Sequence, residues 1–181
     1  HSLGITPEMI WAKARSEGQS WLVYHKGLNG GTNPWSKYVT LDGNGAEANW
    51  AAWVEAPTST QFSIISNWSA NNQNYIAMLF ASVDGISKVG YYSGDGTSNG
   101  SKAITVGFQP RFVIIKSSSY TGGEWQVLDT TRGIDNGLQL NSSNAQSSDD
   151  FIDLTSTGFT MKSSHNDVNG SSQEYIYYAH A

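Results

Sequence analysis

One short segment of the sequence has the spacing of a serine nucleophile. Residues 96–100 read Gly-Thr-Ser-Asn-Gly, which fits the Gly-x-Ser-x-Gly pattern of a nucleophile elbow. Such an elbow needs a strand before it and a helix after it, with an acid and a histidine further along the chain. The surrounding residues are mostly Gly, Ser and Asn, and no helical pattern follows. We therefore interpret the segment as a turn.

Asp149, Asp150 and Asp153 form the densest acidic cluster in the chain. Most glycosidases use two carboxyl groups at a set separation across the scissile bond. An exposed polar loop explains the same cluster without any chemistry. We expect no catalytic residues, and we keep a polysaccharide depolymerase as the enzymatic alternative.

Metal-ligand patterns are absent from the sequence. The four histidines are scattered, no His-x-His or His-x-x-x-His pair occurs, and the chain has no cysteine. The oxygen-rich turns at residues 95–99 and 166–169 do not have the spacing of an EF-hand, and Asx-turns explain them better. We predict no metal and no cofactor.

Aromatic side chains are the strongest candidates for binding chemistry. Trp11, Trp21 and Trp125 fall in strand-like segments and are predicted to lie in the core. Other aromatics stand beside Asn, Ser and Gly, where a ring could stack on a sugar while amides bind its hydroxyls. The same rings could instead cover the base of a sandwich or fill a subunit interface. The candidate ligand-binding residues are Trp35, Tyr38, Trp50, Trp53, Asn67, Trp68, Asn71 and Asn72.

Composition favours a globular β protein. Of the 181 residues, 38% are apolar and only 14% are charged, and 19 glycines separate the apolar runs. The net charge is −5, and the basic residues are scattered singly, which argues against nucleic-acid binding. No apolar run is long enough to insert into a membrane.

The sequence contains an internal repeat. Similar segments recur in one order at nearly one offset of about a hundred residues, which chance rarely produces. Trp21 then aligns with Trp125. The aligned segments are 4–13 with 107–116, 58–64 with 155–161, and 75–81 with 175–181.

These patterns predict an all-β fold. Short apolar runs such as residues 75–80 are typical of strands, and only residues 45–54 could form a helix. We predict a β-sandwich of two internal repeats with a pseudo-two-fold relation. The first repeat spans residues 1–81 and the second spans residues 107–181. Residues 82–106 form a connecting hairpin, a linker, or the leader of the second repeat.

Several of these segments resemble a domain that is common in structural proteins of marine tailed bacteriophages. The resemblance is carried by residues 24–34, 91–96, 107–116, 125–129 and 175–179 and covers nearly the whole chain. It implies a concanavalin-like, laminin-G-like sandwich in a tail fibre or related virion protein. No catalytic motif or binding residue is carried over from that family.

Together, the residues and the resemblance predict a non-enzymatic attachment module. We expect it in the virion, acting on the host surface by binding a glycan or an outer-membrane receptor. Its other expected partners are the rest of the fibre protein and further copies of itself, a trimer by analogy, with no nucleic acid and no membrane insertion. The alternatives are a depolymerase, a structural connector or decoration domain, and a calcium-dependent adhesin.

Overall fold

The computed structural model describes residues 1–50, 52–64 and 73–181. This part of the chain contains fourteen strands, two short 3-10 helices (Leu28–Gly31 and Pro34–Ser36) and no α-helix, so the all-β prediction is confirmed. The strands are β1 (Met9–Ala14), β2 (Leu22–His25), β3 (Lys37–Thr40), β4 (Ala48–Asn49), β5 (Tyr75–Phe80), β6 (Ser87–Ser93), β7 (Ala103–Thr105), β8 (Phe112–Ser117), β9 (Gln126–Asp129), β10 (Asn136–Gln139), β11 (Ser147–Ser148), β12 (Ile152–Thr155), β13 (Gly158–Met161) and β14 (Glu174–His180).

The segment 45–54, which the sequence left as the one possible helix, forms no helix over its described part. Ala48 and Asn49 form β4 instead and pair with β3. Just before them, the backbone N–H of Glu47 donates to the carbonyl of Ser118 at 2.6 Å. The helical propensity of this segment is only moderate, and strand pairing overrides it.

The strands form three antiparallel sheets. The first sheet has the order β4-β3-β2-β1-β5, the second β11-β10-β9-β8-β14-β6, and the third β12-β13-β7. Corresponding strands therefore follow the same order in the first two sheets, and the second sheet has one further strand, β6. Their registers also correspond, because Met9 faces Phe80 across β1 and β5 while Phe112 faces His180 across β8 and β14.

Residues 82–106 are part of the sheets of the second half and are not a free linker. Strand β6 pairs with β14 along its whole length, and β7 pairs with β13. The first sheet has no counterpart of β6 within the described residues.

The second sheet is the middle layer. Side chains alternate across a strand, so β8 sends Val113 and Ile115 to one face and Ile114 to the other. Val113 and Ile115 join a core with residues of the third sheet, such as Phe159. Ile114 joins a second core with Met9 of the first sheet. The layers thus stack in a sandwich-like way, and the outer face of the first sheet carries a third core with residues 52–64.

Hydrogen bonds tie the first two sheets together at their ends. The indole Nε1 of Trp125 donates to the carbonyl of Thr40 at 2.9 Å. The buried ammonium of Lys116 donates to the carbonyls of Gly45 and Ser117 at 3.0 and 2.5 Å. Burial lowers the pKa of Lys116 to about 8. The two backbone carbonyls therefore stabilise the charged form of a buried side chain.

His25 is buried in the contact between the two sheets. Its Nδ1 accepts the backbone N–H of Gly27 at 2.9 Å, so Nε2 carries the proton and donates to the carbonyl of Tyr177 at 3.2 Å. Burial, which outweighs the opposing hydrogen bond to Tyr177, lowers the pKa of His25 to about 3. The imidazole is therefore neutral: its Nδ1 binds the turn that follows β2, and its Nε2 joins the two sheets.

We expect acid to weaken the fold through His25. In the unfolded chain His25 binds a proton below its ordinary pKa of 6.5, whereas in the folded chain it stays neutral down to about pH 3. The free energy of unfolding therefore falls as the pH drops from 6.5 to about 3. From pH 6.5 to about pH 5 the loss is about 1.5 kcal/mol. Denaturant titrations at both pH values should show this loss in the wild type and a much smaller one in His25→Gln. An equal loss in both proteins would assign the acid sensitivity to other groups.

Candidate functional site

Trp53, one of the sequence-predicted ligand residues, lies in the core. Its side chain is 0% exposed and packs edge-on against Tyr24 and Phe62, with ring centroids 5.8 and 6.2 Å apart. The ring therefore has no face available to a ligand. The prediction for this residue is corrected: Trp53 fills the space between the first sheet and the segment that covers its outer face.

The other described candidates lie on that same outer face. Trp35, Tyr38 and Trp50 are half-buried and pack against the core of this face. Tyr38 and Trp50 meet edge-on at 5.7 Å. The remaining predicted residues, Asn67, Trp68, Asn71 and Asn72, lie outside the described residues. The structure thus brings Trp35, Tyr38 and Trp50 together as a partly exposed aromatic face.

A groove lies on the opposite face of the first sheet, where the first and second sheets diverge. It is a groove of about 600 Å³, which is within the range of small-ligand sites. Most of its lining is apolar. We call it the inter-sheet groove, and its lining residues are Trp11, Trp21, Leu41, Asp42, Met78, Leu140, Asn141, Ser142 and Ser143.

At the groove, two corresponding tryptophans, Trp21 and Trp125, have different surroundings. Trp21 and Trp125 occupy equivalent positions, since each accepts a backbone N–H from a leucine, Leu41 and Leu140 respectively, at 3.0 and 2.9 Å. Trp125 is 1% exposed and belongs to the core between the sheets. Trp21 is only half-buried and lines the groove. The prediction that both are core residues is right for Trp125 and wrong for Trp21.

Polar groups lie at the same end of the groove as Trp21. One carboxylate oxygen of Asp42 accepts the backbone N–H of Trp21 at 3.1 Å. In the equivalent place, Asn141 accepts the backbone N–H of Trp125 at 3.0 Å. Asp42 is exposed and has no ion-pair partner within the described chain, so its second oxygen is available to a hydroxyl donor.

The indole N–H of Trp11 is also notable. It is buried and has no hydrogen-bond partner, although the ring borders the groove. The ring itself is held at 4.8 Å from that of Phe80. A buried donor without an acceptor costs free energy.

The groove combines apolar surface with hydrogen-bonding groups. Two indole rings and exposed Met78 and Leu140 offer apolar surface, and the Asp42 carboxylate and the Asn141 amide oxygen offer acceptors. The amide nitrogen of Asn141 already donates to Glu124. A glycosidase of the usual kind needs a pair of carboxyl groups, and Asp42 is the single carboxylate of the described lining.

Two of the three carboxylates in the acidic cluster that the sequence singled out pair with one lysine. Lys162 pairs with Asp150 at 2.7 Å and with Asp153 at 3.4 Å. The hydrogen bond from Lys162 holds the pKa of Asp150 below its usual range, the reverse of what a general acid needs. Asp149 instead accepts a hydrogen bond from Ser147.

The Gly-x-Ser-x-Gly segment is a turn, as predicted. Asp95 accepts the backbone N–H of Thr97 at 2.9 Å, and Asn99 accepts that of Ser101 at 3.0 Å, both as Asx-turns. Within the described residues no cluster of three acidic or histidine side chains could hold a metal ion. No helix in the same part of the chain has the length and hydropathy of a membrane span.

Comparison with known proteins places the chain in a family. All of it, residues 1–181, matches the family model described as "Domain of unknown function (DUF7483)". The chain belongs to this family. Neither the curated proteins nor the solved structures contain a match to this DUF7483 domain.

Sequence reasoning missed the groove because a matched tryptophan was taken as a core residue. The local sequence carries a signal, but it does not separate the two tryptophans. Residues 17–20, just before Trp21, are all polar or Gly, which places this ring at the exposed end of a strand. The matching segment before Trp125 is equally polar, so only the packing of the two sheets distinguishes the rings.

Replacing each of the two matched tryptophans should therefore have unequal effects on the DUF7483 domain. Trp125→Ala removes a fully buried ring and should lower the free energy of unfolding by about 3–5 kcal/mol. Trp21→Ala removes a half-exposed ring and should cost less than half of that. Denaturant unfolding of both variants at neutral pH measures the difference. Equal losses would mean that the groove is closed in solution.

Proposed function

We propose that this DUF7483 domain is a non-enzymatic attachment module that binds a glycan in the inter-sheet groove. The observation that supports the proposal is that Trp11, Trp21 and Asp42 line one groove of ligand size. Sugars present an apolar C–H face and hydroxyl edges, and an indole face beside carboxylate and amide acceptors matches both.

The charge of the groove selects the class of glycan. Asp42 is the only charged residue of the described lining, and the chain as a whole has a net charge of −5. A carboxylate without a nearby cation repels uronic and sialic acids and accepts hydrogen bonds from neutral sugars. We therefore propose a neutral hexose or N-acetylhexosamine as the bound unit.

The proposed setting is the virion of a tailed bacteriophage, with the glycan on the host surface. It rests on the resemblance of the sequence to domains of marine phage structural proteins. We further propose that the two corresponding sheets arose by duplication and that the layers form a concanavalin-like sandwich, which the matching strand orders and registers support. Weak sites repeated in an assembled fibre would then act through avidity.

A depolymerase is the alternative, and the site favours it less. The groove supplies one carboxylate in its described lining, and the Asp150 cluster is ion-paired to Lys162. A purely structural connector would not require exposed Trp21 and Met78 in a groove of this size. Both alternatives predict different results in the experiment below.

Binding should depend on the ring of Trp21. We expect isothermal titration with neutral cell-surface polysaccharides of candidate hosts to detect binding by the wild type. Trp21→Ala should weaken it about tenfold or more, which corresponds to about 1.4 kcal/mol of lost stacking. Trp21→Phe should retain most of the affinity because it keeps an aromatic face.

Two controls separate this proposal from its rivals. Trp35→Ala, on the opposite face of the first sheet, should bind like the wild type. Loss of binding in Trp35→Ala but not in Trp21→Ala would move the site to the outer aromatic face. New reducing ends after incubation would indicate a depolymerase, and no binding to any host polysaccharide or host cell would favour a connector.

A further inference from the structure

The two walls of the inter-sheet groove come from different halves of the chain. Trp21, Asp42 and other residues of the first half line one wall, and residues 140–143 of the second half line the other. A ligand that contacts both walls therefore requires a fixed spacing between them. Contacts between the two halves beside the groove determine that spacing.

Glu124 lies beside the groove and binds both halves. Its Oε1 accepts a hydrogen bond from Nδ2 of Asn44 at 3.2 Å, and its Oε2 accepts one from Nδ2 of Asn141. Asn141 lines the wall of the second half. Asn44 belongs to the turn after β3 that also carries Asp42, a residue of the opposite wall. One half-buried carboxylate thus joins the two walls.

The backbone of Glu124 is anchored by a buried side chain. Its N–H donates to Oδ1 of Asp167 at 3.1 Å. Asp167 is 4% exposed, and its Oδ2 accepts a hydrogen bond from the amide nitrogen of Gln126 at 2.6 Å. Because the backbone of Glu124 is held in this way, a displacement of either wall must stretch a hydrogen bond to its carboxylate.

The same contacts reach the groups that face the groove. On the first wall, Asp42 accepts the backbone N–H of Trp21 at 3.1 Å, so a displaced turn would move both residues. On the second wall, Oδ1 of Asn141 accepts the backbone N–H of Trp125 at 3.0 Å, which leaves Nδ2 directed at Glu124. The carboxylate therefore influences the position of the acceptors on both sides of the groove.

The first half of the chain has no equivalent of this carboxylate. Trp21 and Trp125 occupy equivalent positions, so Ser20 stands in the first half where Glu124 stands in the second. The segment before the matched tryptophans thus forms without a carboxylate. The contacts of Glu124 serve the junction between the halves.

We propose that Glu124 is a positioning residue of the inter-sheet groove, which sets the spacing of the two walls so that one glycan unit can contact both. Glu124 lies outside the groove lining and acts through Asn44 and Asn141. The identity of the ligand rests on the proposed function, whereas the effect of Glu124 on the walls does not.

The decisive test reverses the polarity of one hydrogen bond. Asn44→Asp places a second carboxylate against Glu124, and the repulsion should separate the walls. Glu124→Gln leaves one acceptor oxygen for two asparagine donors, so one contact is lost. When both changes are combined, the new amide can donate to the new carboxylate and still accept from Asn141. The double variant should therefore restore the bridge.

Two measurements on the free protein report the bridge. The backbone N–H of Gly122 donates to the carbonyl of Asn44 at 2.9 Å, so its hydrogen exchange shows whether the halves are joined there. The fluorine resonance of 5-fluorotryptophan at position 21, assigned with Trp21→Phe, reports the surroundings of the groove. Asn44→Asp should speed the exchange of Gly122 about tenfold or more and shift the Trp21 resonance. The double variant should return both to wild-type values.

Affinity for neutral host polysaccharides should follow the same order. Asn44→Asp and Glu124→Ala should weaken binding about tenfold, because part of the binding free energy must then hold the walls in place. The double variant should bind like the wild type. Glu174→Ala is the matched control, since its carboxylate accepts a hydrogen bond from Ser93 within the second half at 2.7 Å. That variant should leave exchange, resonance and affinity unchanged.

The outcomes separate this inference from the proposed function. Wild-type exchange of Gly122 and a wild-type Trp21 resonance in both Asn44→Asp and Glu124→Ala would overturn the positioning role. A double variant that behaves like Asn44→Asp would overturn it too, because the loss would then not come from the bridge. If exchange and resonance follow the expected order but the wild type binds no polysaccharide, the positioning role is supported and the glycan proposal fails.

Discussion

The contact between the first and second sheets is the interaction on which the rest of this structure depends. Each sheet presents one apolar face to the other, and residues such as Met9, Ile114 and Ile176 have no other place to be buried. Polar groups at the ends of the contact then fix how the sheets align. His25, Lys116 and the indole N–H of Trp125 each donate to a backbone carbonyl across or beside this contact.

The alignment of the sheets also creates the site. Where the sheets close on each other, Trp125 is enclosed and its N–H reaches Thr40. Where they diverge, the matching Trp21 is left half-exposed above a groove. A pair of similar sheets can thus place one copy of a residue in the core and the other in a binding position. The proposed function therefore rests on a departure from symmetry, since the residues themselves are alike.

Much of the fold could be predicted from sequence because its signals are local or repeated. The short β-branched runs gave β5 and β8, and the recurrence of segments such as 107–116 anticipated the shared strand order. The possible helix over residues 45–54 did not form, because this segment pairs instead with distant parts of the chain, such as Ser118. Trp53 was misplaced for a related reason: loop-like sequence around it does not reveal that residues 52–64 fold back over the first sheet.

The candidate site was harder to predict than the fold. The sequence suggested indole rings beside polar groups as binding chemistry but named other tryptophans than those of the groove, because exposure depends on how two sheets pack. Trp11 and Trp21 looked like core because they lie in or next to strands, and the structure packs only Trp11 against the core. Which rings have an open face is decided by tertiary packing, and no local pattern encodes it.

The position of the second sheet between the other two affects how the protein unfolds. Because β8 and β14 contribute side chains to the cores on both of their faces, neither half can lose its packing without exposing the other. The chain should therefore melt in one cooperative step although its sheets look like two units. Amide protons of these two strands should exchange with solvent only through that global opening, and those of the outer layers should exchange through smaller fluctuations.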